Sequence, residues 1–260
     1  MSPDTDATGS DLVRRMEGLQ AFIVDLDGVV TDTAVLHERA WKRMFEEYLA
    51  ERRGEDAEPF TSRDYRRYVD GKPRYDGAAA FLESRGIDLP RGEPDDPPDR
   101  ETVSGLGNRK NRYFQELLER DGARVFDGAV RWLRDAADRG YRLAVVTSSR
   151  NGRRILDAAG LGDLFDARVD GRDGQERGLP GKPDPAYFLA AAADLAVAPD
   201  HAAIAEDAGA GVEAGRRGGF ALVIGVAATE NADRLREAGA DVVVERLAEL
   251  PLPAPRMENS

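Results

Sequence analysis

Apolar and polar positions along this chain fall into two regimes. Short runs rich in Val, Ile, Leu and Ala occur at AFIVD 21–25, RLAVVT 142–147, AAIAED 202–207, ALVIGV 221–226 and DVVVE 241–245. Each has the length and make-up of a strand buried on both faces. Between most of them the apolar spacing turns helical, over Gly128–Arg139, Arg153–Ala159, Pro185–Leu195 and Val212–Arg217. Gly140, Gly160 and Gly218 close three of these stretches, as helix C-caps do. Strands alternating with helices predict an α/β fold, a doubly wound parallel sheet covered on both faces.

The stretch from 34 to 120 breaks that rhythm and contains no convincing strand. Ala40, Trp41, Met44, Phe45, Tyr48 and Leu49 form an apolar stripe at helical spacing, and a second helix is expected over Arg109–Arg120. RGEPDDPPDRE at 91–101 is a loop by composition. The expected architecture is therefore an α/β core interrupted by an inserted helical cap. Its parts are a first core segment at 18–33, the cap at 34–120 and the rest of the core at 121–250. Residues 1–17 and 251–260 are expected to be flexible termini.

Composition narrows the possible partners. The chain has 260 residues, 41% of them apolar, enough for a substantial core. No apolar run approaches the roughly 20 residues that span a bilayer. The acidic, polar start MSPDTDATGSD is the opposite of a secretory signal. There are no cysteines, which excludes disulfides and thiolate metal sites and agrees with a reducing compartment. A net charge of −12 argues against nucleic acid or an anionic membrane as a general partner. A monomer in the cytoplasm is expected.

In open parallel sheets, ligands bind beyond the carboxyl ends of the strands. Those ends carry Asp25 and Asp27, then Thr147 and Ser148, then Glu206 and Asp207, with Lys182 in the GKPDP loop between the last two pairs. Each motif alone has a plainer reading: a surface turn, a helix start, a solvated acidic pair. Together they set four carboxylates on one edge, where they repel unless a cation sits among them. With only oxygen ligands on offer, Mg²⁺ is the first choice. A lysine and two hydroxyls beside it describe a phosphate pocket.

DLDGVVTDT, the VVTSS hydroxyls, Lys182 in GKPDP and the acidic pair of EDAGAG occur in the order found in the haloacid dehalogenase-like superfamily. The resemblance spans residues 20 to 245. Within that superfamily the chain is similar to the β-phosphoglucomutase family, through TDTAVLHERAW, GNRKNRYFQELL and TSSRNG. The resemblance implies Asp25 as nucleophile and Asp27 as general acid/base. It implies Mg²⁺ held by Asp25, Asp207 and the backbone carbonyl of Asp27, with Glu206 acting through water. Lys182, Thr147, Ser148 and Ser149 would stabilise the phosphoryl group. Around the cap it implies a hinge role for Thr33 and His37 and substrate contacts from Trp41, Arg74, Lys110 and Asn111, and in the TSSRNG loop a substrate contact from Asn151. The ligand would be a small sugar phosphate, the reaction the interconversion of β-glucose 1-phosphate and glucose 6-phosphate through glucose 1,6-bisphosphate. A sugar-phosphate phosphatase is the enzymatic alternative, and a phosphate-binding regulatory protein the non-enzymatic one.

The chain departs from the family pattern at three places. Asp70 stands where a lysine is common, with Lys72 as a possible substitute; Ala208 follows the acidic pair instead of serine; and the 91–101 loop lengthens the cap.

Overall fold

A computed structural model describes residues 9–53, 58–69, 72–227 and 231–253. The chain divides into two compact units, Met1–Asp32 with Arg124–Ser260, and Thr33–Ala123. Asp70 lies outside the described residues.

The first unit is built on six parallel strands: β1 (Ala21–Asp25), β2 (Arg142–Val146), β3 (Ala167–Val169), β4 (Ala202–Glu206), β5 (Leu222–Val226) and β6 (Val242–Val244), in the order β3-β2-β1-β4-β5-β6. Helices α1 (Gly9–Glu17), α6 (Asp127–Asp138), α7 (Gly152–Ala158), α8 (Gly171–Arg177), α9 (Ala186–Asp194), α10 (Gly209–Arg217) and α11 (Ala232–Glu237) belong to this unit. Side chains of β1 alternate between two cores, as a strand covered on both faces requires. Phe22 meets Trp132 of α6 edge-on with centroids 4.8 Å apart, and touches Tyr141 at the same distance. Ala21 and Ile23 face the other way, into a cluster with Phe188 of α9 and Val212 of α10.

Strand order runs outward in both directions from β1, whose neighbours are β2 and β4. This reversal is the topological switch point, where the connections leave in opposite directions and open a crevice at the strand ends. Asp25 pairs with Val146 in register, and Val24 with Ala205, so the ends of β1, β2 and β4 lie level.

In the first unit three details differ from the sequence expectations. Strand β3 is an extra strand, only three residues long. The segment expected to be a flexible start folds from Gly9 into α1, with Met16 fully buried and Arg15 donating to the Ala221 carbonyl (2.9 Å) and facing Asp241. The beginning of the expected flexible end is also tied down. Trp132 Nε1 donates to the Leu250 carbonyl (3.0 Å), Arg139 to that of Leu252, and Tyr141 to that of Pro253. Residues 254–260 lie outside the described residues.

Where the chain leaves the first unit and returns to it, the two passages pair. Thr31 bridges Val125 in antiparallel fashion, Phe126 N–H donates to the Val30 carbonyl (2.9 Å) and Asp32 N–H to that of Arg124 (3.0 Å).

The second unit comprises α2 (Ala34–Arg53), the single turn α3 (Ser62–Asp64) running into a π-helical turn at Tyr65–Val69, α4 (Arg74–Ser84) and α5 (Val103–Asp121). The predicted apolar stripe of α2 is buried throughout. Trp41 stacks on Phe45, and Phe45, Phe60 and Phe81 pack ring on ring. Helix α5 begins well before the expected Arg109, because Thr102 caps it, Oγ1 accepting from Gly105 N–H (3.0 Å). Among the described residues, no helix is long and apolar enough to cross a membrane.

Candidate active site

Asp25 is the last residue of β1 and is 6% exposed. Beyond it the chain turns sharply. Leu26 N–H donates to the Val146 carbonyl (3.1 Å), Thr31 N–H and Oγ1 return to the Leu26 carbonyl, and Gly28 N–H donates to the Thr31 carbonyl (2.8 Å). Gly28 holds a left-handed φ of +87°, which glycine adopts without steric cost. The turn brings Asp27 N–H to Asp25 Oδ2 at 2.9 Å. The side chains of Asp25 and Asp27 are thus set by different means, one by the strand and the other by the turn.

Thr147 follows β2 and is buried. Its hydroxyl donates to Asp27 Oδ2 (3.2 Å) and accepts from Ser149 N–H (3.0 Å). Ser149 Oγ in turn accepts from Asn151 N–H (3.2 Å), and Asn151 is buried while Ser148 is exposed. A Cβ at Gly152 would lie 2.9 Å from Thr147 Cγ2, so a larger residue there would force its neighbours to shift. Arg150 sits in the same turn, half-buried.

Lys182 lies in the loop before α9, and its side chain is 10% exposed. Its ammonium donates to Asp25 Oδ1 and to Glu206 Oε1, the latter at 2.5 Å. Glu206 ends β4; its other oxygen accepts from Ala208 N–H (2.7 Å). A Cβ at Gly211 would fall 1.9 Å from Glu206 Oε1, so that glycine admits the carboxylate. Each Glu206 oxygen thus takes one donor, and the side chain supports Lys182. Asp207 reaches the surface on one side and packs against Gly28 on the other.

Four carboxylates around one ammonium leave an excess of negative charge. Burial pushes Asp25 up to about 8; Lys182 opposes this, while Glu206 and Asp27 reinforce it. Lys182 is held well above the lysine range, since Asp25 and Glu206 outweigh its burial. Asp207 is raised by its packed surroundings and then by Glu206 and Asp25. The ammonium therefore stays charged, and the surplus pushes the carboxyls toward holding protons. A hard cation would relieve that surplus. Among the described residues no three His, Asp or Glu side chains form a ready-made metal cage. The oxygens on offer are those of Asp25, Asp207 and the turn backbone, a partial set of the kind Mg²⁺ completes with water and phosphate.

In the second unit, Thr33 is buried and its carbonyl accepts from His37 N–H (3.0 Å). The His37 ring stacks on Phe114, centroids 4.1 Å apart. Lys110, 4% exposed, sets Nζ 2.6 Å from His37 Nδ1 and 5.1 Å from the ring centroids of Trp41 and Phe114. Burial first, then the charges of Lys110 and Arg74, hold His37 well below the usual histidine range. An ammonium can only donate, so Nδ1 accepts and the ring proton sits on Nε2. Trp41, expected to contact substrate, is buried beneath Lys110 as part of the aromatic core. Arg74 opens α4 and donates to Asn111 Oδ1 (2.8 Å) and Asn108 Oδ1 (3.4 Å).

The chain matches the haloacid dehalogenase-like hydrolase family over residues 19–219. It is 52% identical over 241 residues to a β-phosphoglucomutase of Mycobacterium bovis, covering 90% of this chain and 92% of that one. To a phosphorylated carbohydrates phosphatase of Thermotoga maritima it is 29% identical over 234 residues, 87% of this chain and 94% of the other. The crystal structure of a β-phosphoglucomutase from Clostridium difficile matches with a TM-score of 0.72 at 25% identity, over 90% of this chain and 93% of that one.

Proposed function

Because this chain belongs to the haloacid dehalogenase-like superfamily and, within it, to the β-phosphoglucomutase family, we propose that it moves a phosphoryl group between two positions of one sugar. The substrate pair is β-glucose 1-phosphate and glucose 6-phosphate, with glucose 1,6-bisphosphate formed between them. The observation that carries this reading is Lys182 bound between Asp25 and Glu206, beside an Asp27 anchored to Thr147.

In the first half-reaction an Asp25 carboxylate oxygen attacks phosphorus of the bisphosphate. The bond from phosphorus to the sugar oxygen breaks, and Asp27 gives that oxygen its proton. An aspartyl-phosphate remains on Asp25. In the second half-reaction a hydroxyl of the sugar monophosphate attacks the same phosphorus, Asp27 takes its proton and the Asp25 carboxylate is released. Lys182 neutralises charge on Asp25 and on the phosphoryl oxygens throughout. The hydroxyl of Thr147 holds Asp27 in place until its proton is needed. Asp25, Asp207 and the Asp27 carbonyl would hold Mg²⁺, which when bound offsets the charge of the transferring group. Arg74 and Lys110 are the cations for the phosphate that is not being transferred, and His37, neutral with its proton on Nε2, offers a donor.

The test is an assay of β-glucose 1-phosphate with a trace of the bisphosphate and Mg²⁺. Glucose 6-phosphate should form much faster than free phosphate. The resemblance to the Thermotoga phosphatase supports a second reading, with water as acceptor. Brisk phosphate release from many sugar phosphates, without isomerisation, would establish that one instead.

A further inference from the structure

The segment between α4 and α5 is a loop by composition, yet it is internally braced. Asp96 is buried, and its carboxylate accepts from Thr102 Oγ1 (2.6 Å), Arg100 (3.0 Å) and Glu93 N–H (3.2 Å). A Cβ at Gly92 would lie 2.1 Å from Asp96 Oδ2, and one at Gly105 would lie 2.2 Å from the Arg100 carbonyl. Thr102, which Asp96 holds, is also the cap of α5. The segment is thereby fixed to the first turn of that helix.

So fixed, it presents two backbone carbonyls to Asn108. The Asn108 amide nitrogen donates to Pro94 O (3.1 Å) and Asp96 O (2.9 Å). Both amide protons are used, which determines which way the side chain faces. Its oxygen is left toward Tyr75 OH (3.0 Å) and Arg74 (3.4 Å). The Tyr75 hydroxyl is also 3.0 Å from Pro94 O, one proton serving two acceptors. Gly107, in the middle of a helix where glycine costs about 1 kcal/mol, makes room for this arrangement. A Cβ there would lie 2.8 Å from the Tyr75 ring and 3.2 Å from Arg74 Cδ. Asn111 receives the guanidinium at 2.8 Å. The oxygens of Asn108 and Asn111 are neutral, so these contacts orient the guanidinium without cancelling its charge.

We propose that Asn108, aimed by the 91–101 segment and assisted by Tyr75, is a positioning residue for Arg74, and that this segment sets how strongly the enzyme favours ligands with two phosphates over ligands with one. The proposal rests on the reading of Arg74 as a contact for the second phosphate.

Asn108→Ala, Tyr75→Phe, Arg74→Ala and the Arg74→Ala/Asn108→Ala double variant test it, with glucose 1,6-bisphosphate and acetyl phosphate as alternative phosphoryl donors to Asp25. Losing one hydrogen bond to a charged group should raise KM for the bisphosphate about tenfold in Asn108→Ala, with kcat changed much less. Tyr75→Phe, the gentler change, should move KM in the same direction by about two- to threefold. Acetyl phosphate has no second phosphate, so its use should suffer far less in both. Adding Asn108→Ala to Arg74→Ala should cost little more than Arg74→Ala alone, because both act through one guanidinium. Additive losses, or equal losses with the two donors, overturn the positioning role. If Arg74→Ala leaves bisphosphate use intact, the reading of Arg74 falls and the proposal with it. If Arg74→Ala impairs it and Asn108→Ala does not, only the positioning role falls.

Discussion

A Cβ placed on Gly28 would lie 1.9 Å from Oδ2 of Asp207. The turn after β1 and the carboxylate after β4 are fitted to one another, and glycine is what permits the approach. Gly28→Ala is therefore expected to displace Asp207, with a further ~1–2 kcal/mol from the left-handed φ. Mg²⁺ affinity should fall by about tenfold or more. Magnesium titration alongside thermal melts checks this. Unchanged affinity in the variant would show that Asp207 does not depend on the turn.

Lys182→Met keeps the length of the side chain and removes its charge, leaving Asp25 and Glu206 buried side by side. Breaking a buried pair in this way costs about 3–5 kcal/mol. Asp25, already raised above its unfolded value, would then be raised further. A raised acid destabilises the fold as pH climbs past its unfolded value, so the defect should be larger at pH 7.5 than at pH 5.5. Urea denaturation at the two pH values measures it. Parental stability at pH 7.5 would mean that the ion pair is not structural support.

With Asp25 pushed up to about 8 and Asp207 also raised, the cation-free cluster retains protons at neutral pH. A divalent cation favours the ionised carboxylates and must expel them. Mg²⁺ binding should release protons at pH 7, and affinity should rise with pH up to about 8. Calorimetry in buffers of differing ionisation enthalpy reads the release directly. Binding without any release would place the cation elsewhere.

His37 is held below the ordinary histidine range, so in acid the unfolded chain takes up its proton first. The stability it contributes is present above pH ~6.5 and is lost as pH falls through that value toward the folded pKa. His37→Gln should therefore lose less stability than the parent between pH 7.5 and 5.5. Nitrogen NMR of the ring should report the proton on Nε2. Identical pH slopes, or the opposite tautomer, would contradict the Lys110 contact.

The strands β1, β2, β4, β5 and β6 were readable because each is an apolar run long enough to stand out. β3 was not: Ala167–Val169 is three residues with an arginine at its centre, and pairing with β2 makes it a strand. Helix α1 was hidden behind an acidic, polar beginning, since only tertiary contact shows that Met16 is buried. Asp25, Asp27, Thr147, Lys182, Glu206 and Asp207 were legible because a parallel sheet brings its strand ends to one edge. The hold of Lys182 and Ala208 N–H on Glu206 was not, because only the folded path of two loops determines it. Asn108 was invisible for a similar reason, because its partners are carbonyls of a segment whose composition says only that it is a loop.

The antiparallel pairing of Thr31 with Val125 bears on how such a chain can change over time. The polypeptide leaves the sheet-bearing unit and re-enters it through neighbouring hydrogen-bonded positions, Asp32 and Arg124. A loop whose ends are already pinned costs only about 0.6 kcal/mol more each time its length doubles. The frame carrying Asp25 and Lys182 is therefore nearly indifferent to the size of what hangs between those positions. Such a segment can be lengthened, trimmed or exchanged between lineages while the catalytic frame is inherited unaltered. New ligand preferences can then arise by grafting, without the chemistry having to be invented again.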